Sequence, residues 1–224
     1  MKANLRLVKA IIFDLDGTLI DSDKDILKII NFIRLRYLNK KMISINTVAN
    51  YTSIGGIDLI KKTISKKQSK YYLKIFRELY MNLKIRNDLI YPGVITLLKL
   101  LKLKKIKIFI CTNKPKYLTS RIVKNTDLGR YVNKFFCSDE SKVKKPNELF
   151  FKKISSSINI DKKQILYIGD SIIDYKFCQN CSLDFFLFKN KRIKYPKKIY
   201  SNLLKLDKIL FNYKNLTKLK NKIL

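Results

Sequence analysis

Short apolar runs recur along the chain, and each of them stops abruptly at polar or charged residues. Such runs are typical of strands that are covered on both faces and therefore lack a polar alternation. The predicted strands are 7–13, 106–111, 135–137, 165–168 and 183–188. Segments with helical spacing lie between these runs. Alternating strands and helices favour an α/β fold, a parallel, doubly wound sheet with helices on both faces.

The predicted helices of this Rossmann-like arrangement cover 93–103, 115–126, 147–157 and 172–180. Pro115 stands in the first turn of the second helix, and Gly129 follows shortly after its end. Proline near the start and glycine past the end are typical helix boundaries, so these limits follow from local chemistry.

A helical insertion interrupts the alternation at residues 22–90. Helical spacing is found over 23–38, 47–53, 57–65 and 69–86, and the segment contains no convincing strand. Because it starts directly after the first predicted strand, we expect it to lie above that strand's tip as a small α-helical cap domain. The predicted core domain is then 1–21 with 91–224, and the cap is 22–90. Tyr71, Tyr72 and Phe76 are expected in the core of the cap.

The C-terminal segment from residue 189 is the most basic part of the chain. Its apolar side chains are spaced as if one face packs on the core, with lysines left in water. The residues expected on that packed face are Leu203, Leu204, Leu206, Ile209, Leu210 and Phe211.

The whole chain is strongly basic, with 49 Lys and Arg against 17 Asp and Glu and a formal net charge of +32. Such a charge is typical of nucleic-acid and membrane-surface proteins, so a basic nucleic-acid-binding module is the alternative from a different functional class. Only 8 of the 49 cations are Arg, however, and no aromatic-basic recognition motif is found. Lys, Ile and Asn dominate as they do in proteins of A- and T-rich genes. We therefore expect no specific nucleic-acid partner.

Histidine is absent from the sequence, which excludes Ser-His-Asp and Cys-His catalysis and histidine-bound zinc. The four cysteines lack metal-site spacing and are expected to be buried in a reducing cytosol. The early apolar run is interrupted by acids, and no run approaches the roughly 18 apolar residues of a membrane span. We expect a cytoplasmic monomer or homodimer without a membrane partner.

The most informative segment is Asp14-Leu15-Asp16-Gly17-Thr18, at the end of the first predicted strand. Residues two apart in an extended chain point the same way, so Asp14 and Asp16 are expected to face a common pocket. Of the 14 Asp in the chain, five lie within residues 14–25. Neighbouring carboxylates repel unless one is protonated or a cation lies between them, which indicates acid-base or metal chemistry.

Polar groups also follow three of the later predicted strands. They are Thr112-Asn113-Lys114, Lys144-Lys145-Pro146, and Gly169-Asp170 with Asp174 four residues further on. In an open parallel sheet, ligands bind outside the carboxyl ends of the strands, so we expect these groups in one crevice. Acids, a hydroxyl and a lysine suit a divalent cation that bridges carboxylates and a phosphoryl group.

In this order and spacing, the four segments resemble the four motifs of the haloacid dehalogenase (HAD) superfamily of phosphatases. The insertion resembles the cap of its phosphoglycolate phosphatase and β-phosphoglucomutase subgroup. Within the insertion, residues 48–60 are similar to the cap segment of bacterial phosphoglycolate phosphatases.

The resemblance implies a nucleophile, a residue that acts first as general acid and then as general base, and a bound metal ion. Asp14 would attack phosphorus and form an aspartyl-phosphate. Asp16 would protonate the leaving alkoxide and then deprotonate the hydrolytic water. Mg²⁺ would be held by Asp14, the backbone carbonyl of Asp16 and Asp170, with Asp174 supporting the site.

The remaining implied roles concern the phosphoryl group and the substrate. Thr112 and Asn113 would donate hydrogen bonds to phosphoryl oxygens, and Lys145 would stabilise the nucleophile and the transition state. Gly17, Gly55 and Gly56 are further candidates for substrate binding, because a chain with only 6 Gly that places two together indicates close backbone approach.

Four polar residues close to these motifs are expected to have a structural role or no role, and not a catalytic one. Asp21 and Ser22 are expected to cap the following helix. Lys114 is expected to be a solvated loop residue, and Lys144 a neighbour of Lys145 without a role.

The function expected from the resemblance is Mg²⁺-dependent hydrolysis of a small phosphomonoester, with 2-phosphoglycolate as the favoured substrate and glycolate as the product. An acid two residues after the nucleophile favours phosphoryl transfer over dehalogenation. The alternatives within enzymes are a β-phosphoglucomutase-like mutase, a phosphonatase with a Schiff-base lysine in the cap, and a pyrophosphatase or nucleotidase.

Overall fold

The computed structural model describes residues 8–210, which form a six-stranded parallel sheet flanked by helices. The spatial order of the strands is β3-β2-β1-β4-β5-β6, so β1 lies centrally between β2 and β4. The strands are β1 (Ala10–Phe13), β2 (Lys107–Thr112), β3 (Lys134–Cys137), β4 (Ile165–Gly169), β5 (Asp184–Phe188) and β6 (Ile209–Leu210). The predicted doubly wound α/β class is confirmed. The short edge strand β6 was not predicted.

Ten helices of the described residues connect and cover the strands. Four belong to the helical insertion after β1: α1 (Asp23–Leu38), α2 (Ile45–Ala49), α3 (Gly56–Thr63) and α4 (Ser69–Met81). Six accompany the sheet: α5 (Val94–Leu103), α6 (Lys116–Lys124), α7 (Ser138–Ser141), α8 (Glu148–Ile158), α9 (Ile172–Cys181) and α10 (Lys197–Lys205).

The sheet buries a different apolar cluster on each face, because successive residues of a strand point to opposite sides. In β1, Ile11 and Phe13 join the cluster that contains α5 residues, whereas Ala10 and Ile12 join the cluster that contains α8 and α9 residues. Both pairs are fully buried. This two-sided burial explains why the strands lack a polar alternation in the sequence.

Helices α1–α4 pack around an apolar cluster of their own. Its members include Ile30, Ile60 and Phe76, and Leu118 of α6 also belongs to it. Tyr72 is buried as predicted, but Tyr71 is 56% exposed, so its predicted place in this core is wrong. Positions 71 and 72 point about 100° apart around a helix, and only one of them can face the cluster.

The two chain segments that enter and leave this helical insertion lie side by side. The Asp21 N–H donates to the carbonyl oxygen of Leu89 (2.7 Å), and the Tyr91 N–H donates to that of Leu19 (3.0 Å). The division of the chain at residues 21 and 90 into core and cap stays a prediction.

Two predicted helices of the insertion have different limits in the structure. The helix predicted at 47–53 is a short helix, α2, followed by a 3₁₀ turn at Thr52–Ile54, which ends at Gly55 with φ +96°. The helix predicted at 69–86 ends at Met81. Periodicity alone does not locate such breaks, because residues past a helix end can continue the apolar spacing.

The C-terminal segment packs on the core with fewer residues than predicted. Leu203, Ile209 and Leu210 are buried, whereas Leu204 and Leu206 are more than half exposed, which corrects their predicted burial. Phe211 lies outside the described residues. All four cysteines are buried and free, as predicted. Within residues 8–210, the helices are all too short or too polar to cross a bilayer.

Candidate active site

The tip of β1 places two acids at the carboxyl edge of the sheet. The Asp14 N–H donates to the carbonyl oxygen of Ile168 (2.9 Å), which continues the pairing with β4, and a tight turn follows. Gly17 has φ +87° in this turn, and a Cβ atom there would lie 2.1 Å from Asp170 Oδ2. A glycine is therefore required for close approach of the turn to Asp170. Gly17 does not line the cavity described below, so its expected contact with substrate stays a prediction.

Three carboxylates meet at the ends of β1 and β4. Oxygen atoms of Asp14, Asp170 and Asp174 all lie within 4.8 Å of one another, and the three residues are buried. Thr18 Oγ1 donates to Asp170 Oδ1 (3.0 Å). Burial, followed by the neighbouring carboxylates, raises the pKa of Asp170 well above its usual range. The sequence prediction that these acids share one crevice agrees with this geometry.

Lys145 is the cation within this cluster, and its side chain is fully buried. Its Nζ donates to Asp14 Oδ1 (2.8 Å), Asp174 Oδ1 (2.6 Å) and the Tyr167 hydroxyl (2.9 Å). Burial alone lowers the pKa of Lys145, but the two carboxylates outweigh burial and the net shift is upward. Lys145 is therefore charged, but its single ammonium faces three acids, and ionisation of all three would leave an excess of negative charge.

One carboxylate oxygen of the cluster has no partner. Among buried side-chain atoms of the described residues, only Asp14 Oδ2 and Thr119 Oγ1 lack a hydrogen bond. Burial raises the pKa of Asp14 to about 7, with opposing contributions from Lys145, which lowers it, and Asp174, which raises it. An unpartnered oxygen beside excess negative charge fits a hard divalent cation, which prefers carboxylate ligands.

Asp174 is held differently from the other two acids. Its Oδ2 accepts the Ser171 N–H (3.1 Å) and the Ser171 hydroxyl at the start of α9, while Oδ1 accepts from Lys145 and Tyr167. Both oxygens are thus occupied by protein donors. This arrangement suits a supporting position better than direct ligation of a metal.

Asp16 faces a second cation that the sequence did not reveal. Lys114 Nζ lies 3.0 Å from both Asp16 carboxylate oxygens, and the Lys114 side chain is only 8% exposed. Burial lowers the pKa of Lys114, but Asp16 and Tyr80 raise it further, so the net shift is upward. The expectation of a solvated loop lysine is wrong, because residue 114 follows β2 and points to the tip of β1.

The side chains of Asp21 and Ser22 do not cap helix α1 as predicted, and they bind other residues instead. The Ser22 hydroxyl donates to Asp16 Oδ1 (2.6 Å), and α1 has no side-chain cap. Asp21 forms a two-pronged ion pair with Arg192, which also contacts Asp23 (3.1 Å). The predicted capping role is therefore wrong for both side chains. Ser22 instead orients Asp16, and Asp21 joins the base of the insertion to the loop after β5.

Thr112 and Asn113 at the end of β2 have distinct surroundings. Thr112 Oγ1 accepts the Lys114 N–H (3.1 Å) and lines the cavity with Asp14. Asn113 Nδ2 donates to the carbonyl oxygens of Ser53 (2.9 Å) and Lys145 (3.2 Å), and its Oδ1 accepts the Lys145 N–H (2.9 Å). The side chain of Asn113 thus positions the Lys145 loop against the helical insertion. Its expected donation to a phosphoryl group stays a prediction.

A narrow cavity of about 50 Å³ separates the strand tips from the helical insertion. The core contributes Asp14, Asp16, Thr112, Asn113, Lys114, Pro115 and Leu118 to its wall. The insertion contributes Ile26, Thr52, Ser53, Gly55, Gly56, Leu59, Leu73, Phe76 and Arg77. Gly55 and Gly56 were singled out in the sequence. Arg77 was not, because α4 carries several cations and one sequence does not show which of them faces inward.

Lys144 crosses from the core to the insertion. Its Nζ donates to the carbonyl oxygen of Ile54 (3.2 Å) and to Asp58 Oδ2 (2.5 Å). The hydrogen bond from Lys144 and its positive charge lower the pKa of Asp58. The prediction that Lys144 has no role is therefore wrong, because its side chain joins the core to the insertion.

The fold and this site define the class of the protein. Residues 11–188, well over half of the chain, match the family described as haloacid dehalogenase-like hydrolase. The chain belongs to this family, as its sequence motifs indicated.

Its curated relatives are phosphoric monoester hydrolases. The phosphoglycolate phosphatase of Psychrobacter arcticus is 28% identical over 185 residues, which cover 78% of this chain and 80% of the relative. That of Rhodobacter capsulatus is 28% identical over 196 residues, or 85% and 88% of the two chains. For a phosphoglycolate phosphatase of Pseudomonas fluorescens Pf-5, the identity is 27% over 75% of this chain, and the match spans 65% of the relative. The chain is accordingly a phosphoric monoester hydrolase similar to the phosphoglycolate phosphatases.

Solved structures share the fold over nearly the whole chain. A crystal structure of a predicted phosphoglycolate phosphatase from Haemophilus somnus 129PT has a TM-score of 0.82 at 23% identity and covers 96% of this chain and 98% of that one. A β-phosphoglucomutase from Clostridium difficile has a TM-score of 0.76 at 16% identity and covers 96% and 97%. Both therefore share the fold of this chain, and neither identity establishes a shared substrate.

Proposed function

We propose that the protein is a Mg²⁺-dependent phosphatase that hydrolyses 2-phosphoglycolate to glycolate through an aspartyl-phosphate on Asp14. The observation that carries this proposal is the unpartnered Asp14 Oδ2 within a buried cluster of three acids and Lys145. The substrate comes from the names of the curated relatives.

The metal would be held by Asp14 and Asp170, with the backbone carbonyl of Asp16 as a further ligand. A divalent cation there supplies positive charge for the nucleophilic carboxylate and for the phosphoryl oxygens. Asp14, whose pKa is raised to about 7, is otherwise only partly ionised near neutral pH. Lys145, which already donates to Asp14, neutralises further charge from the protein side.

The first chemical step breaks the bond between phosphorus and the leaving oxygen. An Asp14 carboxylate oxygen attacks phosphorus, and Asp16 gives a proton to the departing alkoxide. In the structure Asp16 is held by Lys114 and Ser22. A phosphoryl group that arrives in the cavity competes for the Lys114 ammonium, which releases Asp16 to take up a proton from solvent and to face the leaving oxygen.

The second step hydrolyses the aspartyl-phosphate. Asp16 accepts a proton from a water molecule as the water attacks phosphorus, and Asp14 is regenerated. The apolar residues of the insertion, among them Leu59 and Phe76, line the same cavity and limit the number of waters that reach the intermediate.

A mutase is the second candidate, because a β-phosphoglucomutase shares the fold over 96% of this chain. A mutase would return the phosphoryl group to a second hydroxyl of its substrate, and a hydrolase would release inorganic phosphate. Measurement of phosphate release from β-glucose 1-phosphate, with assay of glucose 6-phosphate, separates the two reactions.

The test of the proposed function is a panel of phosphate esters assayed with and without metal. We expect the highest kcat/KM with 2-phosphoglycolate, over sugar phosphates, nucleotides and pyrophosphate. Activity should vanish after EDTA treatment and return with Mg²⁺. Full activity in excess EDTA would overturn the metal site, and a higher kcat/KM for any other ester would overturn the substrate assignment.

A further inference from the structure

Arg77 on α4 occupies a position that the proposed chemistry does not use. The residue is half-buried and lines the same cavity as Asp14 and Asp16. Leu73 and Phe76, which lie four and one positions before it, line this cavity as well. This face of α4 therefore looks toward the strand tips across the cavity.

Lys114, the other cation that lines the cavity, is already paired, and so is Lys145, which lies beside Asp14. Lys145 contacts Asp14 and Asp174, and Lys114 contacts Asp16. No hydrogen bond or ion pair joins Arg77 to any residue in the range 8–210. Exposed unpaired lysines are ordinary in a chain of net charge +32, because acids are too few to pair with them. A half-buried arginine in the wall of a cavity is different, because the residue has lost part of its contact with water and forms no hydrogen bond or ion pair with the described residues in return.

The chemistry of this wall selects the type of group that would pair with Arg77. A guanidinium presents parallel N–H donors that match the two oxygens of a carboxylate. Leu59, Leu73 and Leu118 line the same cavity, and their apolar side chains strengthen such a charge-assisted pair by excluding water. A sugar hydroxyl in the same place would leave the positive charge without a counterion.

We propose that Arg77 is a specificity-determining residue that binds the carboxylate of a small phosphorylated carboxylic acid while the phosphoryl group of the substrate lies against Asp14. This inference rests on the proposed function and adds to it the group that recognises the non-reacting end of the substrate. Arg77 is far along the chain from the four motifs and belongs to none of them.

The test compares two esters that differ at that end only. They are 2-phosphoglycolate and 2-hydroxyethyl phosphate, in which a hydroxymethyl group replaces the carboxylate. We expect Arg77→Met to lower kcat/KM for 2-phosphoglycolate by about 10- to 100-fold, the usual range for a lost charge-assisted hydrogen bond. The same variant should change kcat/KM for 2-hydroxyethyl phosphate by less than about threefold, since that ester makes no ion pair.

Lys74→Met is the matched control, because Lys74 is an exposed cation of the same helix and does not line the cavity. It removes one positive charge from α4 and should leave both esters unaffected. Arg77→Lys should recover part of the lost activity, since it restores the charge without the paired donors. Circular dichroism and the thermal midpoint of each variant establish that α4 is folded in the protein that is assayed.

The outcomes separate the inference from the function on which it rests. A wild-type enzyme that hydrolyses neither ester overturns the proposed function and the inference with it. A wild-type enzyme that hydrolyses both, with an Arg77→Met variant that lowers them equally or not at all, overturns the role of Arg77 alone. An equal loss in Lys74→Met would attribute the effect to the general charge of the insertion and would also overturn it.

Discussion

The two walls of the cavity differ in polarity, since one is lined by buried charged groups and the other is mostly apolar. At the strand tips, the buried acids Asp14, Asp170 and Asp174 lie close together, and Lys145 pairs with the first and the third. One oxygen of Asp14 has no partner among the described residues. The facing wall of α3 and α4 is mostly apolar and offers one guanidinium without a protein partner. Under the proposed function, the core wall performs the reaction and the facing wall selects the substrate.

The walls also differ in how they are held. Asp14 is fixed by backbone hydrogen bonds of the sheet, whereas the insertion is joined to the core loops by side chains such as Asn113, Lys144 and Arg192. Catalytic groups on rigid elements keep their geometry, and a wall held by side chains can adjust to its ligand. The predictions below test this contrast.

The largest effect is expected at the nucleophile of the core wall. Asp14→Asn should reduce kcat for every ester by more than about 1,000-fold, because an amide does not attack phosphorus. Asp88→Asn, which alters an exposed acid, should retain full activity. Initial rates with 2-phosphoglycolate and p-nitrophenyl phosphate measure both. Substantial activity in Asp14→Asn would refute the assignment of the nucleophile.

Lys145→Met should be the most destabilising change in the same wall. It leaves the carboxylates of Asp14 and Asp174 buried without their cation, and the loss of one member of a buried pair costs about 3–5 kcal/mol of unfolding free energy. Urea denaturation measures the loss. Lys152→Met, at an exposed ion pair of α8, should change stability by about 0.5 kcal/mol or less. A stable Lys145→Met protein would show that the cluster does not need this cation.

Gly17→Ala tests the approach of the β1 turn to Asp170. Its Cβ would lie 2.1 Å from Asp170 Oδ2 in a backbone with φ +87°, and we expect a cost of about 2–3 kcal/mol. Activity should fall as well, because Asp170 has to move. Gly56→Ala meets only the flexible end of Leu73 at 3.1 Å and should cost less. Equal stability of the two variants in urea would contradict this account.

The smallest effect is expected where the walls meet at the surface. Lys144→Met removes an exposed pair with Asp58 and should lower unfolding free energy by about 0.5 kcal/mol or less. The value of kcat should not change, since Lys144 lies outside the acid cluster. A tenfold fall in kcat would show that this contact contributes to catalysis and would contradict the assignment of the reaction to the core wall alone.

Residues close in sequence to the strand ends were predictable, and those with distant partners were not. Asp14 and Asp170 follow apolar runs, and parallel topology brings such ends together. Lys114 was misjudged because its partner Asp16 is 98 residues away, and Asp21 because Arg192 is 171 residues away. A single sequence contains no signal for such pairings, since each residue is locally compatible with a cap or a loop.

The sequence by itself determined the alternation of strands and helices, the acids at the strand tips and the family to which the chain belongs. These features depend on local periodicity and on residues at fixed spacing, which a linear chain carries explicitly. Only the tertiary structure decided that Lys114 binds Asp16, that Asn113 holds the Lys145 loop, and that Arg77 faces the cavity. Those facts depend on how the helical insertion packs over the sheet, and packing joins residues that no local pattern relates.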